Sequence, residues 1–434
     1  MDYFKVLCTF GLLMCPLPLH GQKTFLDSPE NIQAYRIFKQ FFVNVFGKTG
    51  TPGNAVFKEA VKMQHVQQPT SNNTSFPCDV SGGRSPSVPT SMHKLRPGDI
   101  DIIAAMGDSL TAGFGAFSTN LFNIFIENRG VSAFGGGQGT WREFLTLPNI
   151  LKEYNPNLYG YSTGDSFTHQ VDSHFNVGEN LAMSRDLPYM ADNLIRRMKS
   201  DPRVDIEKHW KMITIFMGAN DICSDICWIY PPSKALDYHR NDLIKTFRLL
   251  RDNLPRTVIA LVPVPDLANL VDWKGRPAIC KLFIRIGCSC LAASPYRKQR
   301  AEFKKILKQY NFDWLYSLLV TRIYLKIHYF YFRWQQIDQD IASNPEFQRK
   351  DFGILVQTFS MNTDIPRATS SDGVDLRYLS SDCFHFSQRL HARAAIGLWG
   401  NLVDTSKEKP SLFDESYFPC PAHENPYFIT PGNS

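Results

Sequence analysis

Ser109 is the residue whose surroundings point most directly to covalent chemistry in this 434-residue chain. It follows the apolar run Ile102 to Met106 and stands in the tetrapeptide Gly-Asp-Ser-Leu. Continuous apolar residues are typical of a parallel strand buried on both faces, and Gly107 permits a sharp turn where a side chain would clash. The pattern predicts a serine at the carboxyl end of a buried strand. The competing interpretation is a serine that only caps the next helix.

Two further segments supply the groups that a nucleophilic serine requires. A second apolar run leads into Asn220 and Asp221, and near the end of the chain Asp382 precedes His385 by three residues. Ester hydrolysis needs a nucleophile, a base to remove its proton, and donors for the oxyanion of the tetrahedral intermediate. His385 is the candidate base, and the Asn220 amide and the Ser109 backbone N–H are candidate donors.

With these segments in the order Ser, Asn-Asp and Asp-x-x-His, the chain resembles the GDSL (SGNH) hydrolases, and within them the animal phospholipase B family in its single-repeat form. The resemblance runs from about Val88 to Ser434 and rests on GDSLTAG, VPTSMHKLRPGDI, HWKMITIFMGANDIC and SSDCFHFSQRLHARAAIGLWGNL. It implies a serine esterase that removes acyl chains from glycerophospholipids and lysophospholipids. It also implies Ser109 as nucleophile, His385 as base, and no metal or other cofactor.

The resemblance leaves the acidic member of the triad open. We favour Asp382, which lies on the same loop as His385, while phospholipase B assignments place the acid in the Asn-Asp motif, at Asp221. The family also uses a glycine N–H as an oxyanion donor, and Leu181 stands where that glycine is expected. A leucine there is expected to hinder the acyl group, and one missing donor costs about 100-fold or more in rate.

Phenylalanines are frequent after the nucleophile, and Phe114 and Phe117 are candidates for lining an apolar groove for the acyl chain. The alternative is that this stretch belongs to the core. Farther along, His391 on the helix after His385 is expected to be a surface histidine.

From Asp99 onward, apolar strands alternate with helical stretches, which is typical of a parallel sheet with helices on both faces. Strands are predicted at 102–106, 213–217, 258–262 and 354–356, and helices near 187–199, 236–253 and 387–402. The expected fold is therefore α/β, a three-layer α/β/α sandwich with a mostly parallel sheet of about five strands. Reactive groups in such sheets lie at the carboxyl ends of the strands.

The predicted hydrolase domain covers residues 96–405. Residues 1–21 have the pattern of a secretory signal peptide, residues 22–95 that of a helical segment and a linker, and residues 406–434 form a tail in which we expect no membrane or lipid anchor. Residues 312–333 are an apolar insertion. We favour an artefact or disrupted packing there over a helix that docks on lipid, and a helix buried against the domain is the third interpretation.

Composition narrows the partners and the compartment. The net charge is +6 without a dense Lys/Arg block, so we expect no nucleic-acid partner. Of ten cysteines, Cys8 and Cys15 fall in the signal peptide, and the remaining even set suggests disulfides. Histidines at zinc spacing are missing beside them, which argues against a metal site. Overlapping glycosylation signals at Asn72 and Asn73 fit the secretory route.

The function that these patterns favour is a secreted esterase of phospholipase B type, acting at a membrane or micelle surface. A non-lipid esterase for sugar or small esters is the first alternative, because one fold serves many substrates. A catalytically impaired lipid-binding relative is the second, because of Leu181 and the insertion.

Overall fold

The computed structural model describes residues 29–265, 267, 274–292, 334–361, 365–368, 373–405, 413 and 417–433. The predicted signal peptide (1–21) and the apolar insertion (312–333) lie outside these residues, and both stay predictions.

Four parallel strands form the centre of the fold: β1 Ile100–Gly107, β2 Trp210–Phe216, β3 Thr257–Val262 and β4 Phe352–Val356. They lie side by side in chain order, and each contains most or all of one of the apolar runs from which a strand was predicted. The α/β class and the parallel sheet are therefore confirmed.

In the part of the chain that the structure describes, the sheet has four strands where about five were expected. On the outer edge of β1, Tyr159 pairs with Ile102 and Asn176 pairs with Ala105, both in parallel as isolated bridges. Between these two bridges the chain leaves the sheet for a loop that includes a short 3-10 turn at Val171–Ser173. The fifth position is consequently occupied by two short contacts instead of a continuous strand.

The helices of the described residues include α1 Pro29–Phe46, α2 Ala55–Lys62, α3 Ser109–Ala112, α4 Leu147–Tyr154, α5 Leu187–Ser200, α6 Lys234–Asn253, α7 Ala278–Gly287, α8 Ser289–Ala292 and α9 Gln388–Val403. Residues 334–342 are also helical.

Helices cover both faces of the sheet, because successive strand residues point to opposite sides. Ile102 belongs to a core shared with α5 and α6, whereas Ile103 belongs to a second core shared with α4 and α9. Both faces are apolar, which is why the strands appear in the sequence as continuous apolar runs. The three-layer sandwich is confirmed.

The N-terminal region packs on the rest of the chain. Phe57 of α2 contacts the rings of Phe117 and Phe144, and the Cys78–Cys420 disulfide joins the stretch after α2 to the C-terminal tail. The division into segments at residues 95 and 405 stays a prediction.

The eight cysteines of the described residues form four disulfides, Cys78–Cys420, Cys223–Cys288, Cys227–Cys290 and Cys280–Cys383. The expectation of disulfides is confirmed, and their pairing is new information. Within the described residues, no helix combines the length and the apolar character needed to cross a membrane.

Candidate active site

Ser109 is the first residue of α3 and follows β1 after a one-residue turn. A Cβ on Gly107 would lie 2.2 Å from Thr111 Oγ1 and 2.4 Å from the Phe216 carbonyl oxygen, so only glycine fits at this turn. Asp108 caps the helix by accepting the Leu110 N–H at 2.9 Å. The chain therefore places Ser109 at the carboxyl edge of the sheet, as the sequence predicts.

His385 contacts Ser109 although the two residues are 276 positions apart. The distance from His385 Nε2 to Ser109 Oγ is 2.8 Å, and that from His385 Nδ1 to Asp382 Oδ2 is 2.6 Å. The other Asp382 oxygen accepts the backbone N–H groups of Phe384 and His385, both at 3.0 Å. Serine, imidazole and carboxylate form one hydrogen-bonded line.

The carboxylate of Asp382 is buried, yet it is held in the charged form. Burial alone would raise its pKa, but the charge of His385 and the hydrogen bonds that it accepts keep the pKa below its ordinary value. An ionised carboxylate beside Nδ1 fixes the tautomer in which Nε2 faces the serine without a proton. That is the state in which an imidazole can remove the hydroxyl proton.

A short turn carries Asp382 and His385 and is tied to the segment after α3. The Ser380 N–H donates to the His385 carbonyl at 2.8 Å, and the Ser380 hydroxyl donates to the Gly115 carbonyl at 3.1 Å. The disulfide to Cys280 holds the same turn from α7. These contacts explain how a late loop reaches the start of the fold.

Asp221 has a different partner. Its two oxygens accept the Ser184 N–H at 3.1 and 3.0 Å, and none of its hydrogen bonds among the described residues goes to His385. Burial raises the pKa of Asp221, against the attraction of His239. The geometry therefore places Asp382 beside His385, whereas Asp221 is hydrogen-bonded to the Ser184 backbone.

Three N–H donors are candidates for an oxyanion site. Among the described residues, the Asn220 amide makes one hydrogen bond, to the Ala182 carbonyl at 2.9 Å, which leaves its second N–H for a ligand. The Ser109 N–H opens a helix, where no i−4 acceptor exists. In the described part of the chain, the Leu181 N–H has no acceptor either.

Leu181 itself adopts φ +69°. This left-handed conformation favours glycine and costs a leucine roughly 1–2 kcal/mol. The backbone at this position thus adopts a conformation that glycine favours, in line with the glycine that the family pattern has here, although the residue is a leucine.

The two phenylalanines proposed to line the acyl groove lie in different surroundings. The Phe114 ring lies 4.9 Å from the His385 ring and stays a candidate. Phe117 is fully buried against the rings of Phe57 and Phe144, which favours the alternative that it belongs to the core.

The expectation for His391 was wrong. This residue is fully buried and accepts the Ala133 N–H at 3.3 Å. Burial, and then the charge of His385, lower its pKa to about 3.

Sequence reasoning missed a second array of the same three residue types. Ser184 Oγ lies 2.8 Å from His239 Nδ1, and His239 Nε2 lies 3.0 Å from Asp338 Oδ1. All three are buried, and the backbone N–H of Ser184 is the one that Asp221 accepts. Its members are far apart in sequence, and no local sequence motif predicts that they meet.

In the described part of the chain, no group of three or more His, Cys, Asp or Glu side chains could hold a metal ion. The arrangement of Ser109, His385 and Asp382 is suited by itself to acyl transfer, because it provides a nucleophile, a base and a carboxylate that orients the base.

A three-layer α/β/α sandwich with a serine after the first strand and a His-carboxylate pair on a late loop defines the class of GDSL hydrolases. The model of the GDSL-like Lipase/Acylhydrolase family matches residues 103–398. The chain belongs to this family, and the resemblance stated from the sequence is confirmed.

The chain is also similar to individual curated proteins of known name. The chain is 35% identical over 361 residues to phospholipase B1, membrane-associated, of Rattus norvegicus. The matched region covers 81% of this chain and 23% of the relative. The chain is 36% identical over 354 residues to the protein of the same name of Homo sapiens, covering 81% and 22%. This chain therefore spans less than a quarter of the length of these relatives.

Proposed function

We propose that this chain is a secreted carboxylic ester hydrolase of phospholipase B type, which hydrolyses acyl esters of glycerophospholipids and lysophospholipids. The observation that carries the proposal is the hydrogen-bonded line from Ser109 Oγ through His385 to Asp382, with distances of 2.8 and 2.6 Å. Family membership supports the reaction class, and the names of the relatives support the lipid substrate.

In the first half of the reaction, His385 Nε2 takes the Ser109 hydroxyl proton while Oγ attacks the acyl carbonyl carbon. The charge that develops on the carbonyl oxygen is stabilised by the N–H groups of Ser109 and Leu181 and by the Asn220 amide. Asp382 stabilises the imidazolium. The C–O bond to the glycerol breaks, and the imidazolium returns the proton to the leaving alcohol.

In the second half, water loses a proton to His385 and attacks the acyl-serine. The tetrahedral intermediate collapses, the fatty acid leaves, and the proton returns to the Ser109 oxygen. The two steps together consume one water and cleave one ester.

Substrate class and compartment rest on separate observations. The ring of Phe114 beside His385 supports an acyl chain as the group bound next to the scissile ester. Four disulfides support an oxidising compartment, and Asn72 and Asn73 are exposed, as glycan acceptors must be. We expect the enzyme to work at a membrane or micelle surface and to have no nucleic-acid partner.

A catalytically impaired lipid-binding relative is the second candidate, and the left-handed Leu181 is the observation that favours it. A strained backbone at an oxyanion donor would lower the rate of hydrolysis without preventing lipid binding.

A fluorophosphonate probe tests the proposal. We expect the folded, secreted protein to be labelled at Ser109, the Ser109→Ala variant to remain unlabelled, and the wild type to release fatty acid from micellar lysophosphatidylcholine. Absence of labelling in folded protein would favour the lipid-binding relative. Turnover of a short soluble ester without any turnover of lysophosphatidylcholine would favour a non-lipid esterase.

A further inference from the structure

One side of α1 is an exposed apolar row. Ile37, Phe41 and Val45 are 65%, 46% and 56% exposed, and their spacing of four residues sets them on one side of the helix. The row is about 12 Å long, from a rise of about 1.5 Å per residue. Arg36 is exposed beside it. Single exposed apolar residues are ordinary, whereas an aligned row is typical of an interaction surface.

The opposite side of α1 prevents the helix from rolling to bury this row. Lys39 is 2% exposed, and its Nζ lies 2.6 Å from Glu127 Oε1. The other Glu127 oxygen binds the buried Arg129 at 2.7 Å. Separating a buried ion pair leaves an uncompensated charge and is strongly destabilising. The rotation of α1, and with it the exposure of the row, is fixed.

A second row lies on α7. Ile279, Leu282 and Ile286 are 43%, 50% and 54% exposed, at spacings of three and four residues. Lys281 and Arg285 are exposed on the same helix, and α7 contains no acidic residue. An apolar strip flanked by cations is typical of helices that lie on anionic lipid.

Aromatic contacts connect α1 to the reacting groups. Phe42 of α1 lies 4.7 Å from the Phe125 ring, Phe125 lies 6.0 Å from Phe114, and Phe114 lies 4.9 Å from the His385 ring. The inner side of α1 is therefore continuous with the apolar surroundings of the base.

A disulfide bond connects the α7 row to the turn that carries Asp382 and His385. Cys280, which follows Ile279, is bonded to Cys383, which follows Asp382 in the turn of His385. The α7 row thus belongs to a helix bonded to the turn of His385, and the α1 row to a helix that is connected to His385 through the rings of Phe125 and Phe114.

We propose that the α1 and α7 rows, together called the docking surface, bind a phospholipid surface and present its lipids to Ser109. This inference rests on the proposed function. The cations favour an anionic phospholipid surface. A second copy of this chain fits less well, because the three half-exposed side chains of a row are far fewer than the roughly 20–30 residues and about 800 Å² that each partner contributes to a stable interface.

Vesicle flotation of the Ser109→Ala protein tests the docking surface without turnover. We expect it to float with phosphatidylcholine vesicles containing phosphatidylserine, and less with phosphatidylcholine alone. Adding Ile37→Ser with Val45→Ser, or Leu282→Ser with Ile286→Ser, should weaken partitioning by about tenfold or more, because buried apolar area is lost. The matched control, Tyr238→Ser with Leu249→Ser, alters exposed residues of α6 and should float like the parent.

In the protein with Ser109 intact, the same row variants should lose turnover of micellar lysophosphatidylcholine and retain turnover of a short soluble ester. Unchanged flotation in both row variants would overturn the proposal. So would loss of a dimer in sedimentation velocity without loss of flotation, or a lower melting temperature as the only effect.

A tryptophan reporter covers the case of a serine variant that does not fold. In Ile286→Trp protein we expect an emission blue shift on addition of anionic vesicles, and an unshifted spectrum counts against docking. If wild-type protein hydrolyses no ester at all, the proposed function fails, whereas flotation still reports on docking by itself.

Discussion

Replacing Asp382 by asparagine changes one hydrogen bond of the catalytic line while the surrounding turn is kept. The asparagine oxygen can still accept the N–H groups of Phe384 and His385, which Asp382 accepts at 3.0 Å, so the turn should fold. Its NH₂ group, however, then faces His385 Nδ1. The imidazole must accept there and carry its proton on Nε2, which is the wrong tautomer for removing the Ser109 proton.

The structure also sets the size of the effect. The 2.6 Å contact between Asp382 and Nδ1 is charge-assisted, and the carboxylate that makes it is buried. A carboxylate-to-amide change in a Ser-His-Asp triad lowers kcat by about 10⁴-fold, equivalent to about 5.5 kcal/mol of transition-state stabilisation. We expect that loss for Asp382→Asn, with little change in melting temperature.

Asp221→Asn is the matched control, since it makes the same chemical change at a second buried aspartate near the site. The amide oxygen of this variant can still accept the Ser184 N–H, and burial already raises the pKa of Asp221. We expect kcat to fall by less than about tenfold, or about 1.4 kcal/mol. Steady-state hydrolysis of a short soluble ester measures both variants. A larger loss in Asp221→Asn than in Asp382→Asn would refute the assignment.

Three further outcomes are expected. Leu181→Gly removes the left-handed leucine at φ +69° and should raise kcat on a short ester by up to about 100-fold, whereas a fall would show that the side chain helps. Burial raises the pKa of Asp108 from 3.8 to about 7, so the folded protein binds the extra proton between these values and loses stability as pH rises through them. Asp108→Asn should therefore gain stability over wild type between about pH 4 and pH 8 in urea unfolding, by at most about 4 kcal/mol, and a pH-independent difference would contradict this. Replacing Cys280 and Cys383 by serine should lower the free energy of unfolding by about 2–5 kcal/mol and should also lower kcat, because this disulfide holds the turn of His385. Replacing Cys78 and Cys420 by serine should lower only the melting temperature. Equal losses of kcat in the two variants would argue against a role of the Cys280–Cys383 disulfide in positioning His385.

Local pattern was sufficient for the strands and for most of the reacting groups. Each strand is apolar on both faces, so its run is visible without knowledge of its neighbours. Asp382 and His385 lie three residues apart, and a single turn can join them. The nearness of Ser109 to His385 could be inferred only because the strand ends of a parallel sheet share one edge.

Residues whose role depends on a distant partner were predicted less well. The Asp221 partner Ser184 lies 37 positions away, and nothing in the sequence near either residue reveals the contact. Phe117 and His391 are both buried by elements remote in sequence, so the types of their neighbours gave no indication of burial. Disulfide pairing was open for the same reason.

By itself the sequence determined the α/β class and the strand positions, because these follow from apolar periodicity, and it indicated Ser109 and His385 as the reacting pair from short motifs around each residue. Only the tertiary structure showed which aspartate is hydrogen-bonded to His385, which cysteines pair, that Leu181 is left-handed, and that the rows of α1 and α7 face outward. These properties depend on which residues surround a side chain in space. The local sequence around a residue does not specify which distant residues those are.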